Sequence, residues 1–388
     1  MTDGSFRASL DDFDSIMKLT DECFPHDRDS GGMLARWPHC FLPKAEKIKN
    51  CLVMKDGSKV ASLVEYVDQT LLVDGGNLKV AGITNVSTSP SYRRLGLMTK
   101  LLNHCISLMQ EEGYAFSDLR GDRQRYGHFG WENAGHQWRF DVSRRSLNVM
   151  GASTGHEVSP YDVSQKEIDA IIAIHEGEAM RVKRTRNLYE MLLGRKGKQV
   201  WLARSDEGTD AYVIADPRER EQEIVEFGGN AEGINAILVH LIENLGSEML
   251  HVNSPWSHTL NALFFSVSAR WHVICQGMIK IIDLEATLRG FARQLCQRYR
   301  DLGFQGNRTV ALAIEGTEQR VAIEFSSKGV SFKKVSDFPK PLMLSNRQMV
   351  RLIFGPGAPS SVFSLPLDAR FLESLFPVNF YIWENESV

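Results

Sequence analysis

The chain is poor in the features that would place it in several large protein classes. Its six cysteines (Cys23, Cys40, Cys51, Cys105, Cys275 and Cys296) are scattered through 388 residues with no Cys-x-x-Cys pair. That spacing argues against a disulfide framework and for reduced, mostly buried thiols. His104, His128 and His136 show no metal-ligand spacing, so no metal is expected. No apolar run reaches the length of a membrane span: the longest, around Leu260 to Ala269, stops at Arg270 at about half of it. The opening MTDGSFRASLDDFDS has neither the basic start nor the apolar core of a secretory signal. Charge of one sign is lacking too. With 45 Lys and Arg against 48 Asp and Glu, the net charge is −3, which gives no reason to expect nucleic acid or a membrane as a partner. A cytoplasmic protein is expected.

What is present is an ordinary globular composition, 43% hydrophobic and 24% charged. The length exceeds what one hydrophobic core usually supports, so two or three domains are expected. The pattern is mixed α/β. Leu10 to Cys23 has helical spacing, and Leu52 to Met54, Lys59 to Val67 and Leu78 to Thr88 read as strands joined at Asp56-Gly57 and Asp74-Gly75-Gly76. Met98 to Met109 is an amphipathic helix closed by Gly113, and Tyr114 to Leu119 is a further strand. Residues 149–284 repeat this style, with helices at Glu167 to Met180, Asn187 to Leu193 and Ile234 to Leu245 between short strands. From residue 285 the pattern changes: a helix from Leu284 to Leu302, two alternating strands (Arg308 to Ile314, Gln319 to Ser326), and a helix or strand–helix pair over Met343 to Ile353. The chain finishes FLESLFPVNFYIWENESV. Exposing Phe371, Phe376, Phe380, Tyr381 and Trp383 together would forfeit several kcal/mol of burial, on the order of 2 kcal/mol each, so the tail is expected to be docked.

The segment richest in chemistry is Asn85-Val-Ser-Thr-Ser-Pro-Ser-Tyr-Arg-Arg-Leu-Gly-Leu-Met-Thr-Lys100. A β-type run meets a proline, then a basic turn with Arg93, Arg94 and Gly96, then a helix. Backbone N–H groups, a glycine and the positive end of a helix dipole meet there, which suits a phosphate-bearing ligand. A surface turn with two solvated arginines would carry the same residues. A basic neighbourhood follows, with Arg120, Arg123, Arg125, Arg139, Arg144 and Arg145.

Arg93-Arg94-Leu95-Gly96-Leu97-Met98 fits the GNAT signature R/Q-x-x-G-x-G/A except at Met98. With Val86-x-Thr88-x-Pro90-x-Tyr92 before it and Arg125-Tyr126-Gly127-His128-Phe129-Gly130-Trp131 after it, the stretch resembles the Eis (enhanced intracellular survival) type of GNAT N-acetyltransferase. The resemblance implies tandem GNAT folds followed by a sterol-carrier-protein-like domain. That gives a catalytic domain at 1–148, a degenerate GNAT domain at 149–284, and a C-terminal domain at 285–388 whose tail docks at the active site. It implies acetyl-CoA as co-substrate, an amine of a small molecule, peptide or lysine side chain as acceptor, and a homo-oligomer.

Residue by residue, the resemblance implies that Arg93, Arg94, Leu95, Gly96, Leu97, Met98 and Thr99 hold the pyrophosphate and that Val86, Ser87 and Thr88 run along the pantetheine arm. Tyr126 takes the role of general acid toward the leaving thiolate. A tyrosine suits this, since its usual pKa near 10 keeps it protonated at pH 7; packing against Phe129 and Trp131 is the plainer role. The base is the C-terminal carboxylate, here that of Val388. Many relatives end in an aromatic residue instead, and Glu384 or Glu386 are alternatives. Asp27 and Trp37 fall where the family places an acidic and an aromatic wall of the amine pocket. A lipid or acyl carrier, or a non-catalytic acyl-CoA sensor, are the competing readings. The first has no need of the Arg93–Gly96 turn, and the second has no need of Tyr126.

Overall fold

The computed structural model describes residues 4, 6–25, 32–147, 155–304, 306–326 and 328–387. The chain forms two compact units, one from residues 1–135 and 275–379, the other from 136–274 and 380–387. The boundaries expected at 148 and 284 do not follow these units. The Gln137–Ser143 strand pairs with Met249–Pro255 in the second unit, while Gly277–Ile281 pairs with Phe116–Leu119 in the first. A strand belongs to the sheet that satisfies its backbone hydrogen bonds, and neither segment's own residues name that partner.

In the first unit the main sheet runs, in spatial order, Phe6–Arg7, Cys51–Asp56, Lys59–Val73, Gly76–Thr88, Phe116–Leu119, Gly277–Ile281 and Glu132–Ala134. Its long hairpin, Lys59–Val73 with Gly76–Thr88, closes at Asp74 and Gly75, both at positive φ. The next pairing, Gly76–Thr88 with Phe116–Leu119, is parallel and requires a crossover, which the Leu97–Glu111 helix supplies. That helix buries Leu97, Leu101, Leu102, Cys105 and Met109, one apolar stripe against the sheet, and ends two residues before Gly113 at φ 75°.

The expected Leu284 to Leu302 helix is two helices, Leu284–Gly290 and Ala292–Asp301. Gly290 lies so close to Leu78 that a Cβ there would come within 2.7 Å of it. A smaller sheet follows, ordered Gly329–Lys334, Arg320–Ser326, Arg308–Ile314 and Leu342–Leu344, then the Asn346–Phe354 helix with a Ser345–Gln348 capping box. The Gly329–Lys334 edge strand was not foreseen, because its exposed, lysine-rich pattern carries no core signal.

The second unit has one sheet, ordered Arg270–Ile274, Gln137–Ser143, Met249–Pro255, Glu221–Gly229, Gly208–Pro217, Gln199–Ser205 and Glu157–Pro160. Glu221–Gly229 and Met249–Pro255 pair in parallel across the Ala231–Glu243 helix, a second strand–helix–strand crossover. The aromatic tail is buried as expected. Trp383 packs on Phe227 with ring centroids 4.9 Å apart and joins the second unit's core with Tyr381.

Candidate functional site

The site grows out of a mismatch between two strands. Gly76–Thr88 keeps parallel register with its neighbour only from Val80↔Phe116 to Ile83↔Leu119. Thr84 to Thr88 therefore run past the neighbour's end. On the other side the register slips between Leu63 and Glu65, and Asn85 takes a positive φ of 46°. This bulge bends the strand away from the sheet line at the point where its partner stops. Behind it, Asn85 is held by hydrogen bonds to Thr20 Oγ1 (3.0 Å) and from Ser87 Oγ (3.0 Å).

The chain then turns through Pro90–Tyr92, and both Arg94 (φ 66°) and Gly96 (φ 72°) sit in the left-handed region. Gly96 is the N-cap of the Leu97–Glu111 helix, and no side chain caps it. The first N–H groups of that helix thus have neither an intrahelical acceptor nor a capping oxygen, and they carry the positive end of the dipole. The second unit's crossover helix differs at this point: Asn230 caps it by accepting from Gly233 N at 2.8 Å. The first unit leaves a helix start open where the second closes its own.

Strand end and helix start face one cleft of about 510 Å³. Its walls include Val86, Ser87, Thr88, Arg93, Arg94, Gly96, Leu97, Met98 and Thr99, together with Cys23, Phe24, Tyr92 and Arg125. Every residue singled out for the acyl carrier is on this wall except Leu95, which is half exposed and absent from it. Sequence reasoning missed the four others. Tyr92 and Arg125 lie inside quoted motifs, so motif membership could have found them, whereas Cys23 and Phe24 end a distant helix and carry no local signal. The Thr88 carbonyl on this wall accepts from Arg93 Nε at 3.5 Å and from Cys23 Sγ at 3.6 Å.

Tyr126 does not line the cleft; its neighbour Arg125 does. It lies on the short Arg123–Gly127 helix, which Asp122 caps by accepting from Arg125 N at 2.7 Å. The Tyr126 ring is buried edge-on to Trp131, with centroids 6.4 Å apart. Gly121 makes room for it, since a Cβ there would stand 2.4 Å from Tyr126 Cε2. Burial raises the Tyr126 pKa above its usual 10, with Arg125 beside it in partial opposition, so the hydroxyl stays protonated at neutral pH. Nearby, Glu132 receives Arg123 and Arg347, which hold its carboxylate below the ordinary range against the pull of burial.

Asp27 and Val388 lie outside the described residues. Trp37 belongs to a small apolar cluster with Met33, Cys40, Phe41 and Val67 and is not on the cleft wall. The other proposed bases are engaged within the second unit. Glu384 accepts from Asn253 Nδ2 at 3.1 Å. Glu386 accepts from Arg184 Nε at 2.6 Å, and Arg184 also clasps Glu226 with both terminal nitrogens at 2.9 and 2.7 Å. Arg195 donates to the Asn385 carbonyl at 2.7 Å. All of these groups but the partly exposed Glu384 are buried. Burial lifts the Glu386 carboxyl to about 7, partly offset by Arg184, whereas the same arginine holds Glu226 below its ordinary value despite burial.

What the fold and cleft define is a mixed α/β domain that presents an anion-ready helix start beside a strand end that has outrun its parallel neighbour. Residues 7–134 match the acetyltransferase (GNAT) domain family. The chain carries a GNAT acetyltransferase domain, a domain of the N-acetyltransferase class. An uncharacterized N-acetyltransferase of Streptomyces avermitilis is 26% identical over 103 residues, which span 26% of this chain and 25% of that protein. Solved structures match over the whole length. A probable N-acyltransferase from Enterococcus faecalis has a TM-score of 0.74 at 16% identity, covering 99% of both chains. Eis1 from Mycobacterium abscessus has a TM-score of 0.69 at 13% identity, covering 99% of this chain and all of that one. At such identities the likeness is one of fold. No helix among the described residues is long and apolar enough to cross a membrane, and none of their His, Cys, Asp and Glu side chains group as a metal site.

Proposed function

We propose that the protein is an acetyl-CoA-dependent N-acetyltransferase that passes an acetyl group directly to a primary amine of a small molecule, peptide or lysine side chain. The observation that carries this reading is the cleft where the overrunning strand end and the uncapped helix start meet. Acetyl-CoA brings the activated acyl group as a thioester. The N–H groups from Leu97 to Thr99, with Arg93 and Arg94, receive its pyrophosphate, and Val86 to Thr88 offer backbone groups to the pantetheine arm. Tyr126, kept protonated by burial, gives its proton to the departing thiolate. The Val388 carboxylate takes the proton from the attacking amine, and Asp27 and Trp37 line the amine pocket. Glu386 is a poorer base than the terminus because its carboxylate is already bound by Arg184.

The second crossover, with its self-capped helix, supports a degenerate GNAT fold around 149–284. By the same resemblance 285–388 is sterol-carrier-like, and the enzyme is a cytoplasmic homo-oligomer. The test is thiol release from acetyl-CoA with a panel of amines, comparing wild type with Tyr126→Phe and with a chain extended by residues after Val388. Tyr126→Phe should lower kcat about 10²-fold or more with acetyl-CoA affinity unchanged. The extended chain should lose activity at the step that deprotonates the amine. Wild-type turnover in both variants refutes both assignments.

A further inference from the structure

We propose that the Ala292–Asp301 helix lines a second ligand site in the first unit, built for a small polyanion: a phosphate ester or a polycarboxylate. A cavity of about 770 Å³ there, within the size range of small-molecule sites, is walled by Asp74, Arg293, Arg298, Arg300, Val330 and Asn379. It shares no lining residue with the acyl-carrier cleft.

The argument is one of uncancelled charge. Arg298 is largely withdrawn from water, yet its guanidinium donates only to neutral oxygens: the carbonyls of Leu375 (2.8 Å) and Pro377, and Asn379 Oδ1 (3.0 Å). Burial lowers its pKa from the usual value, as expected for a cation without a counter-charge. Arg293 donates to the Asp74 carbonyl, and Arg300 to the carbonyl (3.4 Å) and Sγ (3.0 Å) of Cys296. None of the three meets a carboxylate among the described residues. The nearest acid in sequence, Asp301, accepts from Gln297 Nε2 at 2.7 Å. Arg184, fully buried in the second unit, has two carboxylates. Buried charges in folded proteins are ordinarily paired, so the withdrawn Arg298 with neutral partners, flanked on the same cavity by the exposed Arg293 and Arg300, leaves room for an anion.

Helix geometry makes the arrangement deliberate. Arg293 and Arg300 are two turns apart on one face, about 10 Å along the axis, so a ligand with more than one anionic group answers both. The opposite wall is fixed. Gln294 donates to the Asn379 carbonyl (3.1 Å) and accepts from Asn379 N (2.9 Å), holding the 375–379 segment against the helix. Guanidinium forks match phosphate and carboxylate oxygens two at a time, and Ala292 and Val330 offer contact to a carbon skeleton.

The test is calorimetric titration of the full-length protein at low salt with pyrophosphate and with citrate. It compares wild type, Arg293→Ala/Arg300→Ala and Arg93→Ala/Arg94→Ala, with melting temperature as the check on folding. Arg298 is left intact because it also holds the 375–379 carbonyls. The site predicts binding that weakens at least tenfold in the first double variant and persists in the second. Tighter pyrophosphate would assign a phosphate ester, tighter citrate a polycarboxylate. Binding of neither probe overturns the proposal, as does binding that is lost only with Arg93 and Arg94.

Discussion

Gly121→Ala tests the role of Tyr126 without touching its hydroxyl. Gly121 lies between the Phe116–Leu119 strand and Asp122, and a methyl group there would stand 2.4 Å from Tyr126 Cε2, 2.9 Å from Cδ2 and 3.3 Å from Leu119 Cδ1. Ordinary carbon contacts are about 3.5 to 4.0 Å, so the ring must move by roughly 1 Å. The ring is rigid and also packs edge-on against Trp131, so the shift passes to the hydroxyl. Overpacking of this kind costs about 1–3 kcal/mol of stability, small enough for a folded protein to be assayed. A misplacement of about 1 Å at a reacting group costs on the order of 10²-fold in rate. Steady-state kinetics should therefore show kcat falling about 10²-fold and the KM for acetyl-CoA nearly unchanged, because the pyrophosphate turn is untouched. A folded Gly121→Ala protein with wild-type kcat would refute the reasoning and leave Tyr126 a core residue.

Glu65 is enclosed in the first unit with one carboxylate oxygen lacking a hydrogen-bond partner among the described residues, and burial pushes its pKa up to about 8 from 4.5. A carboxyl raised on folding contributes stability that is fully present below about pH 4.5 and lost as pH rises through 8. Glu65→Gln should then gain on wild type by on the order of 2–4 kcal/mol at pH 9 and by little at pH 4.5 in denaturant melts; a pH-independent difference would contradict it. Arg184→Ala strands the buried carboxylates of Glu226 and Glu386 and should cost about 3–5 kcal/mol. Adding Glu226→Gln and Glu386→Gln should recover part of that loss; no recovery would mean the arginine acts by packing instead.

Legibility from sequence followed the range of the forces involved. The Leu97–Glu111 helix and its glycine closure were readable because periodicity and caps are local, and so were the hairpin turns at Asp56-Gly57 and Asp74-Gly75-Gly76. Lys59–Val73 ran six residues past its expected end at Val67, since nothing local says how far a hairpin partner extends. The carrier wall was legible because turn, glycine and helix start are contiguous in the chain. The Arg123–Gly127 helix left no trace in the sequence pattern: five residues are too few for a periodic signal, and the helix is set by the Asp122 cap. Cys23 and Phe24 reach the cleft only through tertiary packing. The assignment of Gln137–Ser143 and Gly277–Ile281 to their sheets was likewise out of reach, because hydrogen-bond partners more than a hundred residues away leave no mark on a strand's own pattern.

The fastening of residues 380–387 bears on how the chain is made. Trp383 fills the second unit's core, and Asn385 and Glu386 complete its buried charge network, yet they are synthesised more than a hundred residues after Ile274 closes the rest of that unit. A ribosome-bound intermediate with residues 136–274 already extruded holds Glu226 for Arg184 but still lacks Glu386, the second carboxylate on that arginine, and the Asn385 carbonyl that Arg195 binds. Completion of the second unit is thereby postponed until residues 380–387 have emerged, and a product terminated before them leaves the Tyr381 and Trp383 positions of that core unfilled, an opening that a protease can recognise.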